Sequence, residues 1–306
     1  MSALIDISSL HVRRGGQETL RLEGLSLDAG QVVGLIGPSG SGKSTAARAI
    51  IDLPDADETC LRDINLAFDA RLGTGIGMIF QDPLRSLDPL MRIGDHVVEG
   101  LRWHFKLPRK DAWAQAKAAF VRVGLPSDDA FLKRYPHQVS GGQRQRAAIA
   151  AAIALRPKVL IADEPTSALD VLAQDHVARL LQSLAREDGM AVLFIGHDLG
   201  LLARICDRLA VMADGKIVEQ GNAAELIAAP VHAVTRQLID AARSLPQAES
   251  TAAQGYAVLE SRVVTRRYAG QGGAGHQGDQ LQVGAAAKPS PSSANPAVAS
   301  RPLSAP

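Results

Sequence analysis

Between a short apolar run and a helical pattern lies a segment that few folds can accommodate. Residues 32–36 are β-branched or apolar apart from one glycine and end at Gly37. Gly37-Pro38-Ser39-Gly40-Ser41-Gly42-Lys43-Ser44 follows, and helical spacing begins at Lys43. A strand that enters a glycine-rich turn and leaves it as a helix is the context in which GxxxxGK[ST] forms a P-loop. The glycines let backbone amides turn inward around phosphate oxygens, and the helix N-terminus adds a favourable dipole. Lys43 is expected to reach the β- and γ-phosphates, and the Ser44 hydroxyl suits Mg²⁺. Thr45, next along the helix, completes the phosphate-binding set.

A P-loop nucleotidase also needs a carboxylate at the end of a neighbouring strand. Residues 159–162 are four apolar positions that emerge at Asp163-Glu164. Asp163 is expected in the Mg²⁺ shell, with Glu164 placed to polarise an attacking water. Residues 191–195 form a third buried-strand pattern. Residues 208–212 and 216–219 flank Asp214-Gly215, which favours a tight hairpin. Strands alternating with helices imply an α/β core with helices on both faces.

The middle of the chain, about 84–155, reads as helical. Asp111 is expected to cap a helix carrying Trp113, Ala116, Phe120 and Val123 on one face, stopped at Gly124. Ser140-Gly141-Gly142-Gln143 stands before an alanine-rich helix at 144–155. A serine cap with two glycines leaves amides at a helix N-terminus, a second anion site that can serve another subunit's nucleotide.

Composition narrows the function classes. Lysine plus arginine is 33 and aspartate plus glutamate 32, a net charge of +1. Such a balance gives no global field to hold nucleic acid or an anionic membrane. Only 4% of residues are aromatic, too few for a base-stacking platform. Cys60 and Cys206 have no metal-ligand spacing and read as core thiols in a reducing compartment. The longest weakly polar run, 147–155, is far short of the roughly 20 residues of a membrane span, and no secretory pattern opens the chain. An intracellular soluble chain is expected. From 246 to 306 alanine, glycine, glutamine, serine and proline dominate, and a disordered tail is expected, with a small apolar patch at 256–259 and 263–264.

In order and local context these motifs resemble the ATP-binding cassette (ABC) ATPases over about residues 10–236. GPSGSGKS resembles their Walker A motif, and Gln81 in Met78-Ile79-Phe80-Gln81-Asp82-Pro83 their Q-loop. VSGGQRQR resembles the family signature, with Val139 where leucine is common. VLIADEPTSALD resembles Walker B running into the D-loop at Asp170, and His197 stands where the family keeps its switch histidine. The resemblance implies a P-loop NTPase (RecA-like) α/β core with a small antiparallel β-subdomain and an inserted α-helical subdomain, within residues 1–240. It implies ATP and Mg²⁺ as cofactors. Glu164 activates water, Gln81 and His197 sense the γ-phosphate, and Gln81 joins Ser44 and Asp163 at the metal. Ser140, Gly141, Gly142, Gln143 and Asp170 then act on the nucleotide across a head-to-tail dimer.

Gln81-Asp82-Pro83-Leu84-Arg85-Ser86-Leu87-Asp88-Pro89, Arg92-Ile93-Gly94-Asp95 and His232-Ala233-Val234-Thr235-Arg236-Gln237-Leu238 are similar to the oligopeptide/dipeptide/nickel importer branch. That implies transmembrane permease partners, a second ATPase subunit, an indirect solute-binding protein, no nucleic acid, and a peripheral place on the cytoplasmic face of the membrane. A cassette ATPase of a soluble complex, in phosphonate metabolism, DNA repair or translation, is the alternative. Three departures stand out. Arg14 occupies the place of the adenine-stacking aromatic, and its guanidinium can stack instead. The segment between the P-loop helix and Gln81 is short, which implies a trimmed β-subdomain. The cysteine cluster that many relatives carry has no counterpart after residue 238.

Overall fold

The computed structural model describes residues 3–82, 86–166, 169 and 171–244. Its strands are β1 (Ala3–Arg14), β2 (Gln17–Asp28), β3 (Val32–Ile36), β4 (Glu58–Leu66), β5 (Ile76–Ile79), β6 (Val159–Asp163), β7 (Ala191–Gly196), β8 (Arg208–Ala213) and β9 (Lys216–Asn222). They form one sheet in the order β4-β1-β2-β9-β8-β3-β7-β6-β5. The half from β8 to β5 is parallel, while β4, β1 and β2 are antiparallel.

Alternation explains why the central strands are apolar throughout. On β3, Val32 and Ile36 face one core while Val33 and Leu35 face the other. On β7, Val192 and Phe194 join the first core, and Leu193 and Ile195 the second. A parallel sheet covered on both sides must bury both sets, so no polar face remains. The second core is closed by α1 (Lys43–Ile50) and by the inner faces of β1 and β2.

The first core is closed by α6 (Val171–Asp188) and α7 (Leu199–Ile205), and it runs on into a helical group. That group comprises α2 (Ile93–Phe105), α3 (Arg109–Arg122), the single turn α4 (Asp129–Leu132) and α5 (Gly141–Ala154). Leu101, Ala116, Phe120 and Ile149 meet there, and Phe120 packs edge-on against Phe131 with centroids 6.4 Å apart. Two short helices, α8 (Ala223–Ala228) and α9 (Ala233–Ser244), follow the last strand.

Several sequence expectations shift in detail. Helix α3 starts two residues before Asp111 and takes Pro108 as its N-cap, so Asp111 lies in the first turn rather than at the cap. Pro108 is itself extended, at φ −56° and ψ 147°, and its carbonyl accepts from the Asp111 and Ala112 amides as the helix begins. Ala116, Phe120 and Val123 are buried as the spacing requires, and Gly124 ends the helix at φ +67°. The alanine-rich helix begins at Gly141 rather than at 144. The hairpin at Asp214-Gly215 forms, with φ of +48° and +74°, the paired positive values of a type I′ turn. The short segment before Gln81 supplies one antiparallel strand, β4, to the β1–β2 pair. The expected tail at 246–306, with its patches at 256–259 and 263–264, lies outside the described residues.

Candidate nucleotide-binding site

Four parallel strands deliver the site at their C-terminal ends, the place where open α/β sheets bind ligands. β3 ends at Gly37, β5 leads to Gln81, β6 ends on Asp163 and Glu164, and β7 leads to His197.

Gly37 is held by packing. A Cβ there would lie 2.2 Å from the Met212 carbonyl oxygen on β8, well inside contact distance. Gly37→Ala is therefore expected to push β3 from β8 and cost about 1–3 kcal/mol. Scanning calorimetry should show a melting temperature lower by roughly 2–12 °C; an unchanged transition would show that the loop is not seated on β8. Gly40 and Gly42 take φ of +80° and +97°, and Pro38, Ser39 and Gly40 form the exposed rim. Ser41 is buried and its carbonyl accepts from the Gly215 amide, which ties the loop to the β8–β9 turn.

Lys43 turns back into this loop. Its Nζ donates to the carbonyls of Gly37 at 2.8 Å and Pro38 at 3.0 Å, and the residue is only 8% exposed. Burial pulls its pKa below the ordinary lysine value, opposed by the Glu164 and Asp163 carboxylates. An ammonium held against two carbonyls and two carboxylates is a cation poised for an anionic ligand. Ser44 donates its hydroxyl to Asp163 at 3.2 Å. Burial raises the Asp163 pKa, countered by that hydrogen bond and raised further by Glu164. Thr45 is half-buried in the first turn of α1.

Glu164 stands at φ +45°, a left-handed conformation that is costly for a residue with a Cβ and concentrates at functional sites. Its amide donates to the Ile195 carbonyl at 3.0 Å, which fixes the bend beside β7. Its carboxylate accepts from Gln81 Nε2 at 2.7 Å and lies 3.7 Å from His197 Nδ1. Two of the expected residues, Gln81 and His197, thus converge on the carboxylate of a third.

A small cleft beside Glu164 and His197 is lined also by Thr166, Gln174 and Asp198, which the sequence reading missed. Gln174 Nε2 donates to the carbonyls of Thr166 and Leu169 and pins the turn after β6. Asp198 caps α7 by accepting from the Leu201 amide at 3.0 Å. An aspartate directly before an apolar helix is a cap signal visible in the sequence; Gln174 carries no comparable signal.

Residues 140–143 form a reciprocal capping box. Ser140 Oγ accepts from the Gln143 amide at 3.2 Å, and Gln143 Oε1 accepts from the Ser140 amide at 3.0 Å. The cap therefore consumes the Gln143 amide and side chain, and leaves the amides of Gly141 and Gly142 without intrahelical partners. These bonds stay within the start of α5. Asp170 lies outside the described residues, as do Pro83, Leu84 and Arg85. Arg14 ends β1 and pairs with Asp55 at 3.0 Å, Asp57 at 3.2 Å and Glu58 at 2.9 Å. Its N–H edge is committed to carboxylates, so any stacking must use the guanidinium faces.

Residues 22–167 match the family described as ABC transporter. The chain carries an ABC transporter ATPase domain. Over 264 residues the cassette is 38% identical to the glutathione import ATP-binding protein GsiA of Salmonella choleraesuis (strain SC-B67), covering 79% of this chain and 42% of that protein. It is 40% identical over 255 residues to the peptidoglycan transport ATP-binding protein YejF of Agrobacterium fabrum, covering 78% of this chain and 47% of that one. The chain spans less than half the length of these curated relatives.

Among solved structures the cassette is similar to cbiO1 from Clostridium perfringens, part of the ABC transporter complex cbiONQ. The TM-score is 0.62 at 28% identity, covering 74% of this chain and 92% of that one. A dimeric post-hydrolysis state of the ATP-binding cassette MJ0796, bound to ADP and Pi, gives 0.60 at 28% identity over 72% of this chain and 98% of that one. The α/β P-loop fold is that of these cassettes.

Proposed function

We propose that this chain is an ATP-hydrolysing subunit that powers a membrane importer of peptides or similar small solutes. The observation that carries the reading is the convergence of Gln81 and His197 on Glu164, beside the Lys43 and Ser44–Asp163 contacts. The relatedness to GsiA and YejF, import and transport proteins by name, supports the importer branch.

The residues present fit a nucleotide with Mg²⁺. A buried lysine in a glycine cradle suits the phosphates, and Ser44, Asp163 and the Gln81 amide oxygen form a hard-oxygen donor set with few carboxylates. Mg²⁺ favours such sites because it keeps waters and shares phosphate oxygens. When bound, the ion neutralises charge on the phosphates. Glu164 accepts a proton from the attacking water, Gln81 and His197 orient that carboxylate, and Lys43 holds the phosphate end. Arg14 presents a guanidinium face to the adenine.

Two such subunits act head to tail, with residues 140–143 and Asp170 of one completing the site of the other. The ATPase domain occupies residues 1–240, with its helical subdomain at about 84–155 and a tail from 246. Among the described residues no helix is long and apolar enough to cross a membrane. The importer therefore needs permease subunits, with this chain peripheral on the cytoplasmic side and a solute-binding protein acting through the permease. Isolating the complex from its native membrane and identifying its members by mass spectrometry tests this. Permease subunits are expected; recovery with soluble lyase, repair or translation components would overturn it.

A further inference from the structure

Glu164 keeps its left-handed backbone, at φ +45°, only while the chain on both sides of it is fixed. A strained residue of this kind persists where its surroundings over-determine it. On the β6 side the Glu164 amide donates to the Ile195 carbonyl at 3.0 Å, so β7 anchors the bend. On the other side the chain leaves the sheet through Pro165 and Thr166 and turns towards α6. The ladder of β6 ends at Asp163, so this second stretch needs an anchor of its own.

Gln174 supplies it. The residue completes the first turn of α6 and reaches back towards the strand. Its Nε2 donates to the carbonyls of Thr166 and Leu169, each at 3.1 Å. A carboxamide nitrogen carries two N–H bonds, so both are spent on this turn. The Leu169 amide donates to the same Thr166 carbonyl at 3.1 Å, which is therefore held by two donors. Thr166 is buried, and Thr166 and Gln174 line one small cleft with Glu164 and His197. Carbonyls that water could have satisfied are tied instead to a side chain rooted in a five-turn helix.

We infer that Gln174 is a positioning residue for the hydrolytic step. By pinning Thr166 and Leu169 to α6, it fixes where Glu164 presents its carboxylate. This rests on the ATPase reading above, in which Glu164 takes a proton from the attacking water. Such a base works only within hydrogen-bond reach of that water, and a misplacement of about 1 Å can cost on the order of 10²-fold in rate. Nucleotide binding does not depend on this turn, because Gly37–Lys43 is carried by β3 and α1. Gln174 has spent its donors on the chain's own carbonyls, so it acts through the turn and not on the nucleotide.

The test uses Gln174→Met in the full chain, which keeps the length of the side chain and removes both donors. The variant is expected to lose about 10- to 10²-fold in kcat, while KM for ATP stays within about threefold of wild type. Unchanged binding of a fluorescent ATP analogue would show that it is folded. Without nucleotide, hydrogen exchange at the Leu169 amide is expected to quicken, while exchange across α1 stays as it was. Added to Glu164→Gln, the substitution is expected to lower the residual rate by less than about threefold, because residues that act through one group are not additive. A merely structural residue would instead lower that rate by the same factor again. A wild-type kcat, unaltered exchange at Leu169, or a full second loss in the Glu164→Gln background would each overturn the positioning role. Any of these with normal wild-type hydrolysis removes this role alone; a wild-type chain that hydrolysed no ATP would remove the ATPase reading and this role with it.

Discussion

Replacing Glu164 by glutamine is expected to slow ATP hydrolysis about 10²–10⁴-fold, the usual worth of a general base, while ATP binding stays near its wild-type strength. The two halves of that expectation have separate structural grounds. The carboxamide keeps an oxygen that can accept from Gln81 Nε2, now 2.7 Å from the carboxylate, so the local frame survives. It cannot take the proton of an attacking water. The backbone at φ +45° is held by the Glu164 amide bond to Ile195 and is indifferent to the change. The phosphate cradle at Gly37–Lys43 is built on other strands and is untouched. Single-turnover hydrolysis and nucleotide titration on the same preparation check both halves. On sizing chromatography with ATP, the variant should also accumulate as a dimer, because the step that releases it is blocked. Turnover within a few-fold of wild type would move the base to another residue.

Lys43→Ala is expected to weaken ATP binding by about 10- to 10²-fold, the range that follows from losing a charge-assisted hydrogen bond worth about 1.5–3 kcal/mol. The folded domain gains little from this lysine. It is 8% exposed, its charged form is disfavoured by burial, and its hydrogen bonds go to carbonyls of the loop itself. Affinity is therefore expected to fall much more than the melting temperature does. A fluorescent ATP analogue measures the first and calorimetry the second. If both fell together, Lys43 would be a structural pin of the loop rather than a phosphate ligand. If neither moved, the P-loop would not hold the nucleotide.

How much of this was legible before the fold was known depends on the range of the signal. The strand-to-helix context of Gly37–Ser44, the apolar run ending at Asp163-Glu164 and the Asp214-Gly215 turn are each written within about ten residues. There the period of two and the φ preferences of glycine act directly. The helix boundaries were less legible. Pro108 rather than Asp111 stands at the N-cap of α3, which starts with no side-chain cap, and the Pro108 carbonyl accepts from the Asp111 and Ala112 amides.

What the sequence alone determined, then, was the α/β class, the glycine-rich turn between β3 and α1 and the pair of carboxylates at the end of β6, since those patterns are local and chemically narrow. Tertiary structure alone decided how the partners meet. Gln81 and Glu164 are 83 residues apart and touch only because β5 and β6 are parallel neighbours in register. His197 joins them because β7 lies on the other side of β6. Arg14 can offer a stacking partner only its guanidinium faces, because its N–H edge is taken by Asp55, Asp57 and Glu58, carboxylates that no local pattern couples to it.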